Sequence, residues 1–226
     1  ICLASTGKKV AVLDADFGLA NLDIIFGVSS KYNLSHFIRG TKTLEELAQP
    51  ACEGVDIFCG IAGVEQLTHL TDFARERIIG GLEMLAENYD IVLIDTAAGI
   101  SKSVLAFCLA GDQTMLVGSP DPAAITDVYM LMKAMAIHKY KGRISLLVNM
   151  AQSDTQGKKV YKQIAKAADQ FLDVRLNMAG VLPRDANVIL SVQKREPFVF
   201  AYPKTAAAKS LMSVAARISR VPMASS

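Results

Sequence analysis

Six short apolar runs, separated by longer segments of helical pattern, constrain the fold of this chain most strongly. The runs are VAVLD (10–14), VDIFCG (55–60), IVLID (91–95), TMLVGS (114–119), ISLLVNM (144–150) and AGVLP (179–183). Their apolar residues follow one another without alternation, which is typical of parallel strands covered on both faces. Helical patterns occupy 71–88, 125–140, 157–172 and 205–220. This alternation predicts an α/β doubly wound fold, with a mostly parallel sheet and helices on both of its faces.

Composition narrows the classes of protein that this chain can belong to. A length of 226 residues suffices for a substantial core, and no linker or repeat interrupts it, so we predict a single domain over 1–226. The net charge of +2 implies no strongly basic face, and we expect no direct nucleic-acid binding. The four cysteines form no CxxC pair, which favours a reducing, cytoplasmic location.

Polar residues follow the apolar runs at the points where the predicted strands end. Asp14 and Asp16 follow the first run, Asp95 the third, Asn149 the fifth, and Pro-Arg-Asp at 183–185 the sixth. Each of these alone could serve only as a turn or a helix cap. Ligands of open parallel sheets bind beyond the carboxyl ends of the strands, so their convergence predicts a polar binding cleft.

The stretch NYDIVLIDTAAG (88–99) gives the sharpest chemical signal. An apolar strand that ends in an aspartate, here Asp95, is typical of a Walker B segment, whose carboxylate holds Mg²⁺. Gly99 would let a backbone N–H approach a terminal phosphate. The neighbouring carboxylates Asp14 and Asp16 need a nearby cation to offset their repulsion, and one of them could orient a water.

Three segments resemble a known family. DADFGLANLDIIFG (14–27) and YDIVLIDTAAGIS (89–101) are similar to the two signatures of the MinD/ParA group of deviant-Walker P-loop ATPases. REPFVFAYPKTAAAKSLMSVAARI (195–218) resembles the C-terminal region of one subgroup, the FlhG/FleN regulators of flagellar number. The resemblance extends from about residue 7 to about residue 218 and implies the P-loop NTPase-like fold.

The resemblance implies roles around the phosphates. Asp16 would polarise the attacking water, and Asp14 would lie near the metal. Asp95 would hold Mg²⁺, and Gly99 would sense the γ-phosphate.

It implies further roles around the base and the dimer partner. Asn149 would hydrogen-bond the adenine edge, and Pro183, Arg184 and Asp185 would line its other side. Asn21 would lie near the nucleotide and the second subunit. The implied function is an ATP-dependent homodimer that separates after hydrolysis and acts on flagellar or division-site regulatory proteins.

The chain departs from the family pattern at the phosphate-binding loop. No G-x-x-x-x-G-K-[ST] sequence occurs in it: in the stretch around Gly7, Cys2 replaces the first glycine and Lys9 replaces the Ser or Thr. The opening nine residues resemble the end of the helix that follows this loop. We therefore expect the chain to lack the family's first strand and P-loop, to bind nucleotide poorly and to hydrolyse none by itself.

A further departure concerns the membrane. Family members often end in an amphipathic targeting helix, and the residues after Pro222 show no bulky apolar face rimmed by lysines. Attachment to the inner membrane surface therefore rests on the resemblance alone.

Two other functions remain open at this stage. VLDADFG also resembles the opening of haloacid-dehalogenase-type phosphohydrolases, with Asp14 as nucleophile and Asp16 as general acid. That family would need Thr or Val at Gly18 and a second carboxylate beside Asp112. The other alternative is a scaffold on the same fold that hydrolyses no nucleotide. A role in division or partition also stays open beside flagellar number.

Overall fold

The computed structural model describes residues 1–17, 19–61 and 71–220. Gly18 of the first motif and the C-terminal residues 221–226 therefore lie outside the described residues. The described residues form two compact units, one of 1–98 with 191–201 and one of 99–190 with the residues from 202 onward. The expectation of a single domain over 1–226 stays a prediction.

The first unit contains a mixed four-stranded sheet. Its strands are β1 (Val10–Ala15), β2 (Gln49–Cys52), β3 (Val55–Phe58) and β4 (Ile91–Thr96), in the order β2-β3-β1-β4. β1 runs parallel to β3 and β4, and β2 runs antiparallel to β3. Its helices are α1 (Leu22–Phe26), α2 (Leu34–Ile38), α3 (Asp72–Asn88) and α8 (Phe198–Ala201), with 3-10 turns at Ala4–Thr6 and Glu45–Leu47.

Helix α3 illustrates how local sequence sets an element in this unit. Thr71 caps its start by accepting the Ala74 N–H at 3.2 Å. Ile78 and Leu85 are buried on its inner face. Gly81 allows the helix to approach Phe37 of α2, because a Cβ at this position would lie 3.1 Å from the Phe37 ring.

The second unit contains a parallel three-stranded sheet. Its strands are β5 (Gln113–Gly118), β6 (Arg143–Ala151) and β7 (Leu176–Pro183), in that order. Its helices are α4 (Lys102–Ala110), α5 (Pro122–Ile137), α6 (Asp154–Leu172) and α9 (Ala206–Ile218). Helix α7 (Ala186–Lys194) carries the chain from the second unit into the first.

Helices cover both faces of the second sheet. Leu146 and Val148 of β6 join the core that α5 and α6 cover, whereas Leu147 packs with Val214 of α9. Because successive strand residues point to opposite faces, α9 lies on the face opposite α5 and α6. The predicted doubly wound arrangement, with mostly parallel strands flanked by helices, is confirmed.

β4 and β5 are two of the four strands that lie at the ends of the two sheets. Among the described residues, β4 pairs only with β1, and β5 pairs only with β6. Val117 of β5 is 56% exposed although its neighbour Leu116 is buried.

In the part of the chain that the structure describes, no helix is long and apolar enough to cross a membrane.

Candidate functional site

Asp14 and Asp95 lie side by side at the carboxyl ends of two neighbouring parallel strands. They are partners in the β1–β4 register, followed by Ala15 and Thr96. Neighbouring strands are separated by about 4.8 Å, so the two carboxylates share one edge of the first sheet. The sequence-based expectation that these strand ends converge is thus met within the first unit.

Asp14 is the buried member of this pair, with 2% of its surface exposed. Its Oδ1 accepts the Asp16 N–H at 3.2 Å, and its Oδ2 accepts the N–H groups of Asn21 at 3.0 Å and Leu22 at 3.2 Å. Burial raises the pKa of Asp14 despite these three bonds, and the nearby charge of Asp16 adds to the rise. Such burial, with both oxygens engaged, disfavours the dehalogenase-type role of Asp14 as a nucleophile.

Asp16 and Asp95 are the more accessible carboxylates. Asp16 is half-buried, and its Oδ1 accepts the Leu19 N–H at 3.3 Å. Asp95 is exposed as a residue, yet partial burial of its carboxylate raises its pKa, and the negative charges of Asp14 and Asp16 raise it further. Three carboxylates therefore repel one another at this sheet edge, as a site that takes a cation would require.

The donor set fits magnesium. Carboxylate oxygens are hard ligands, and Mg²⁺ in nucleotide sites is held by one or two carboxylates, waters and substrate phosphates. Within residues 1–17, 19–61 and 71–220, no three His, Cys, Asp or Glu side chains form a ready metal cage. Asp95, exposed at this edge, supplies the one carboxylate that such a site needs, and Asp14 lies beside it.

Gly60 is a site residue that the sequence analysis missed. A Cβ built on it would lie 2.7 Å from the carbonyl oxygen of Asp14, 3.1 Å from the Asp14 Cγ and 2.9 Å from the Ala20 Cβ. Only glycine fits this close approach. Its position two residues after the end of β3 was the available signal, since glycine at a strand end often marks a contact between backbone and ligand or loop.

Asn21 precedes α1 at the surface of the first unit. It is exposed, and its side chain makes no capping bond to α1. Its backbone N–H, in contrast, binds Asp14. The structure therefore joins Asn21 to the aspartates through its main chain.

Gly99 opens the second unit in a turn that leads to α4. Its φ of 90° is left-handed, and apart from its chain neighbours no atom of the described residues lies within 4 Å of a Cβ built on it. Two residues later, Ser101 caps α4 by accepting the Val104 N–H at 3.3 Å. Glycine at position 99 thus allows the left-handed backbone conformation and also leaves space beside the backbone.

Asn149 and Pro183 lie at the same edge of the second sheet. Ala151 is the register partner of Pro183, and its carbonyl accepts the Arg184 N–H at 2.9 Å. The Asn149 Oδ1 accepts the N–H of Met150 at 2.8 Å. The structure therefore brings these predicted adenine-site residues together, at the ends of β6 and β7.

Asp185 completes this edge as a helix cap, the role that the sequence analysis allowed for each of these residues alone. Its Oδ1 accepts both the backbone N–H and the side-chain amide of Asn187, at 2.9 and 3.0 Å. These bonds, the backbone one first, hold the pKa of Asp185 below its usual value. Asp185 therefore fixes the start of α7, whatever else it contacts.

Comparisons with known proteins identify similar chains. Antiactivator FleN of Pseudomonas aeruginosa is 34% identical over 223 residues, which cover 99% of this chain and 80% of FleN. Flagellum site-determining protein YlxH of Helicobacter pylori is 32% identical over 195 residues, covering 86% of this chain and 66% of YlxH. No protein-family model matches the chain.

Solved structures share the fold. The septum site-determining protein MinD of Pyrococcus horikoshii, complexed with Mg-ADP, superposes with a TM-score of 0.76 at 23% identity. The match covers 97% of this chain and 86% of that MinD chain. At this identity the likeness shows the fold.

Proposed function

Because this chain belongs to the MinD/ParA family, with Antiactivator FleN among its relatives, we propose that its complete gene product is an ATP-dependent dimerisation switch. The complete gene product hydrolyses ATP with Mg²⁺ and thereby controls the number or position of a cellular structure. The name of the relative YlxH, a flagellum site-determining protein, favours flagella over the division site as that structure.

The register pairing of Asp14 with Asp95 is the observation that carries this proposal. In the proposed site Asp95 holds Mg²⁺, with Asp14 beside it, and the metal would supply charge stabilisation at the phosphates. Asp16, the accessible partner two residues beyond Asp14, polarises the attacking water. This division of roles matches their exposure, because the accessible carboxylates meet the reactants and the buried one does not.

The remaining nucleotide contacts of this proposal are those that the family resemblance assigns. The open space beside Gly99 suits the approach of a terminal phosphate to its backbone N–H. The Asn149 side-chain amide hydrogen-bonds the adenine edge, and Pro183, Arg184 and Asp185 line the other side of the base. Asn21, exposed in front of α1, contacts the nucleotide or the second subunit.

Hydrolysis acts as the switch because it removes the ligand that holds the dimer. A ligand that binds the dimeric form better than the monomer shifts the population towards the dimer, and its loss reverses the shift. We place this cycle in the cytoplasm, at the inner membrane surface when a targeting helix is present, with flagellar or division-site regulators as partners.

The alternative is a scaffold on the same fold that hydrolyses no nucleotide. The 226 residues contain no G-x-x-x-x-G-K-[ST] loop, and that loop carries most of the phosphate binding in P-loop proteins. The gene sequence before Ile1 discriminates: an intact loop there supports the ATPase, and a degraded one supports the scaffold.

Phosphate release by the complete gene product tests the proposal. The protein is made with whatever residues its gene encodes before Ile1, and Asp16→Ala is compared with Asp169→Ala on the exposed surface of α6. Loss of the water-polarising group should lower turnover at least about 100-fold while ATP still binds. Normal turnover by Asp16→Ala would overturn the role of Asp16, and absence of turnover in the unmodified protein would overturn the ATPase.

A further inference from the structure

We infer that Asp14 is a positioning residue, which holds backbone amides of the loop formed by the described residues 16–17 and 19–22 rather than ligating the metal. The expected effect of Asp14 on turnover rests on the proposed function. The expected effect of Asp14 on the loop conformation rests only on the geometry of the first unit. It assigns the three carboxylates of the site to three separate tasks.

The contacts of the Asp14 carboxylate carry the first step. A carboxylate offers about four acceptor positions, and backbone N–H groups of Asp16, Asn21 and Leu22 occupy three of them. Hydrogen bonds to a charged acceptor are roughly twice as strong as neutral ones. With 2% of the residue exposed, these bonds are shielded from water.

Helix α1 shows why this carboxylate is needed. The first N–H groups of a helix have no partner within the helix, and the residue before it usually supplies one with its side chain. Asn21 occupies that position and makes no such bond. Asp14, eight residues before Leu22, accepts the Leu22 N–H instead. One buried side chain therefore holds the backbone both at Asp16 and at the start of α1.

Gly60 gives a second, independent observation. Its Cα approaches the Asp14 main chain, the Asp14 carboxylate carbon and Ala20 of the loop so closely that a Cβ would lie 2.7 to 3.1 Å from all three. Real Cβ atoms are rarely that close to any neighbour. The segment after β3 therefore packs against both Asp14 and Ala20. It leaves no room for either residue to shift towards Gly60.

The consequence concerns Asp16. Its own N–H is one of the three held by Asp14, so the position of its carboxylate relative to β1 depends on Asp14. A change at Asp14 should displace the water-polarising group and slow the chemical step. A change at Asp95 should instead weaken metal binding, because Asp95 is the exposed carboxylate of the register pair.

Hydrogen–deuterium exchange tests the loop without any nucleotide, in the chain Ile1–Ser226. In Asp14→Asn the amide can accept through only one oxygen, so exchange in peptides that contain Asp16, Asn21 and Leu22 should become at least about tenfold faster. Exchange in β6 and β7 should stay unchanged. Asp95→Asn, the matched control on the neighbouring strand, should leave the loop at the unmodified rate. Loop exchange in Asp14→Asn equal to that of the unmodified chain overturns the inference.

A second variant decides the matter if Asp14→Asn does not fold. Gly60→Ala keeps the carboxylate and pushes against it from β3, and it should also accelerate exchange in the loop. No acceleration in a folded Gly60→Ala protein overturns the inference.

Magnesium dependence separates positioning from ligation in the complete protein. Asp14→Asn should lower kcat at least about tenfold, the effect of one lost charged hydrogen bond, and keep the half-saturating Mg²⁺ concentration. Asp95→Asn should raise that concentration. An equal rise in Asp14→Asn would make Asp14 a ligand and overturn the inference. If no protein shows turnover, the proposed ATPase fails, whereas the exchange result still decides the role of Asp14 in the loop.

Discussion

Asp95 lies one strand away from Asp14 in the parallel β1–β4 ladder, and the two carboxylates share the same sheet edge. Partial burial and the charges of Asp14 and Asp16 raise the pKa of Asp95. Repulsion between these like charges lowers the stability of the fold, as charged groups at functional sites often do.

Asp95→Asn should therefore affect stability and metal binding in opposite directions. Without Mg²⁺ the substitution removes a like-charge repulsion and should stabilise the fold by about 0.5–1 kcal/mol, a modest value because water screens the exposed Asp95. Urea unfolding with a chelator measures this gain. Glu87→Gln, the same charge change on an exposed turn of α3, should change stability by much less. A destabilised Asp95→Asn would contradict the repulsion.

Asn149→Ala should weaken the preference for adenine. The lost buried hydrogen bond corresponds to about 1–2 kcal/mol in the difference between ATP and GTP binding. Titration of both nucleotides into the complete protein measures it. Asn88→Ala at the exposed end of α3 is the control and should leave the preference unchanged. Equal discrimination in Asn149→Ala and the unmodified protein would exclude Asn149 from the base site.

Two adjacent glycines of α3 should respond oppositely to alanine. Gly80 is exposed, and outside its own helix backbone no atom of the described residues lies within 4 Å of a Cβ built on it. Gly80→Ala should therefore stabilise the fold by about 1 kcal/mol through helix propensity. Gly81 faces Leu44 and Phe37 at overlapping distance, and Gly81→Ala should destabilise it by about 1–3 kcal/mol. Denaturant unfolding measures both. The same sign for both changes would contradict the packing of α3 on α2.

Tyr89 should make stability fall at high pH. Its hydroxyl donates to the Asp56 Oδ2 at 2.8 Å, and burial together with this carboxylate raises the Tyr89 pKa above the ordinary value of 10.0. Above that value the unfolded chain loses the proton while the folded chain keeps it, so the stabilisation is complete below pH 10.0 and is lost as pH rises further. Unfolding experiments between about pH 9 and pH 11 measure this loss.

Two variants resolve the origin of that pH dependence. Tyr89→Phe should lose about 1 kcal/mol at neutral pH and show a shallower fall above pH 10.0. Asp56→Asn keeps an acceptor for the hydroxyl but removes the charge, and its fall should lie between those of Tyr89→Phe and the unmodified chain. A fall in Tyr89→Phe as steep as that of the unmodified chain would assign the effect to other groups.

The sequence predicted six strands and missed β2, which lies at the end of the first sheet. Continuous apolar runs identified β1, β3, β4, β5, β6 and β7, because strands covered on both faces need apolar side chains throughout. β2, with the sequence QPAC, has no such run and contains Pro50, which cannot donate to a ladder and is confined to edges. Its pairing with β3 depends on tertiary contact rather than on local pattern.

The charged residues of the site were predictable from the sequence. The hydrogen bonds and close packing that hold them were not. A carboxylate at a strand end is visible in the sequence, and the parallel sheet brought Asp14 and Asp95 together as expected. The bond from Leu22 to Asp14 spans eight residues and depends on the conformation of the loop between them. The need for glycine at position 60 depends on how closely β3 approaches that loop, which no local pattern records.

The mass of the complete protein in solution tests the central claim most directly. Asp16→Ala, which should bind ATP without consuming it, is measured by light scattering after size-exclusion chromatography with Mg²⁺ and either ATP or ADP. A dimer with ATP and a monomer with ADP is the result that we predict, because only the triphosphate state gains the interface. The same mass with both nucleotides would contradict the ATP-dependent switch.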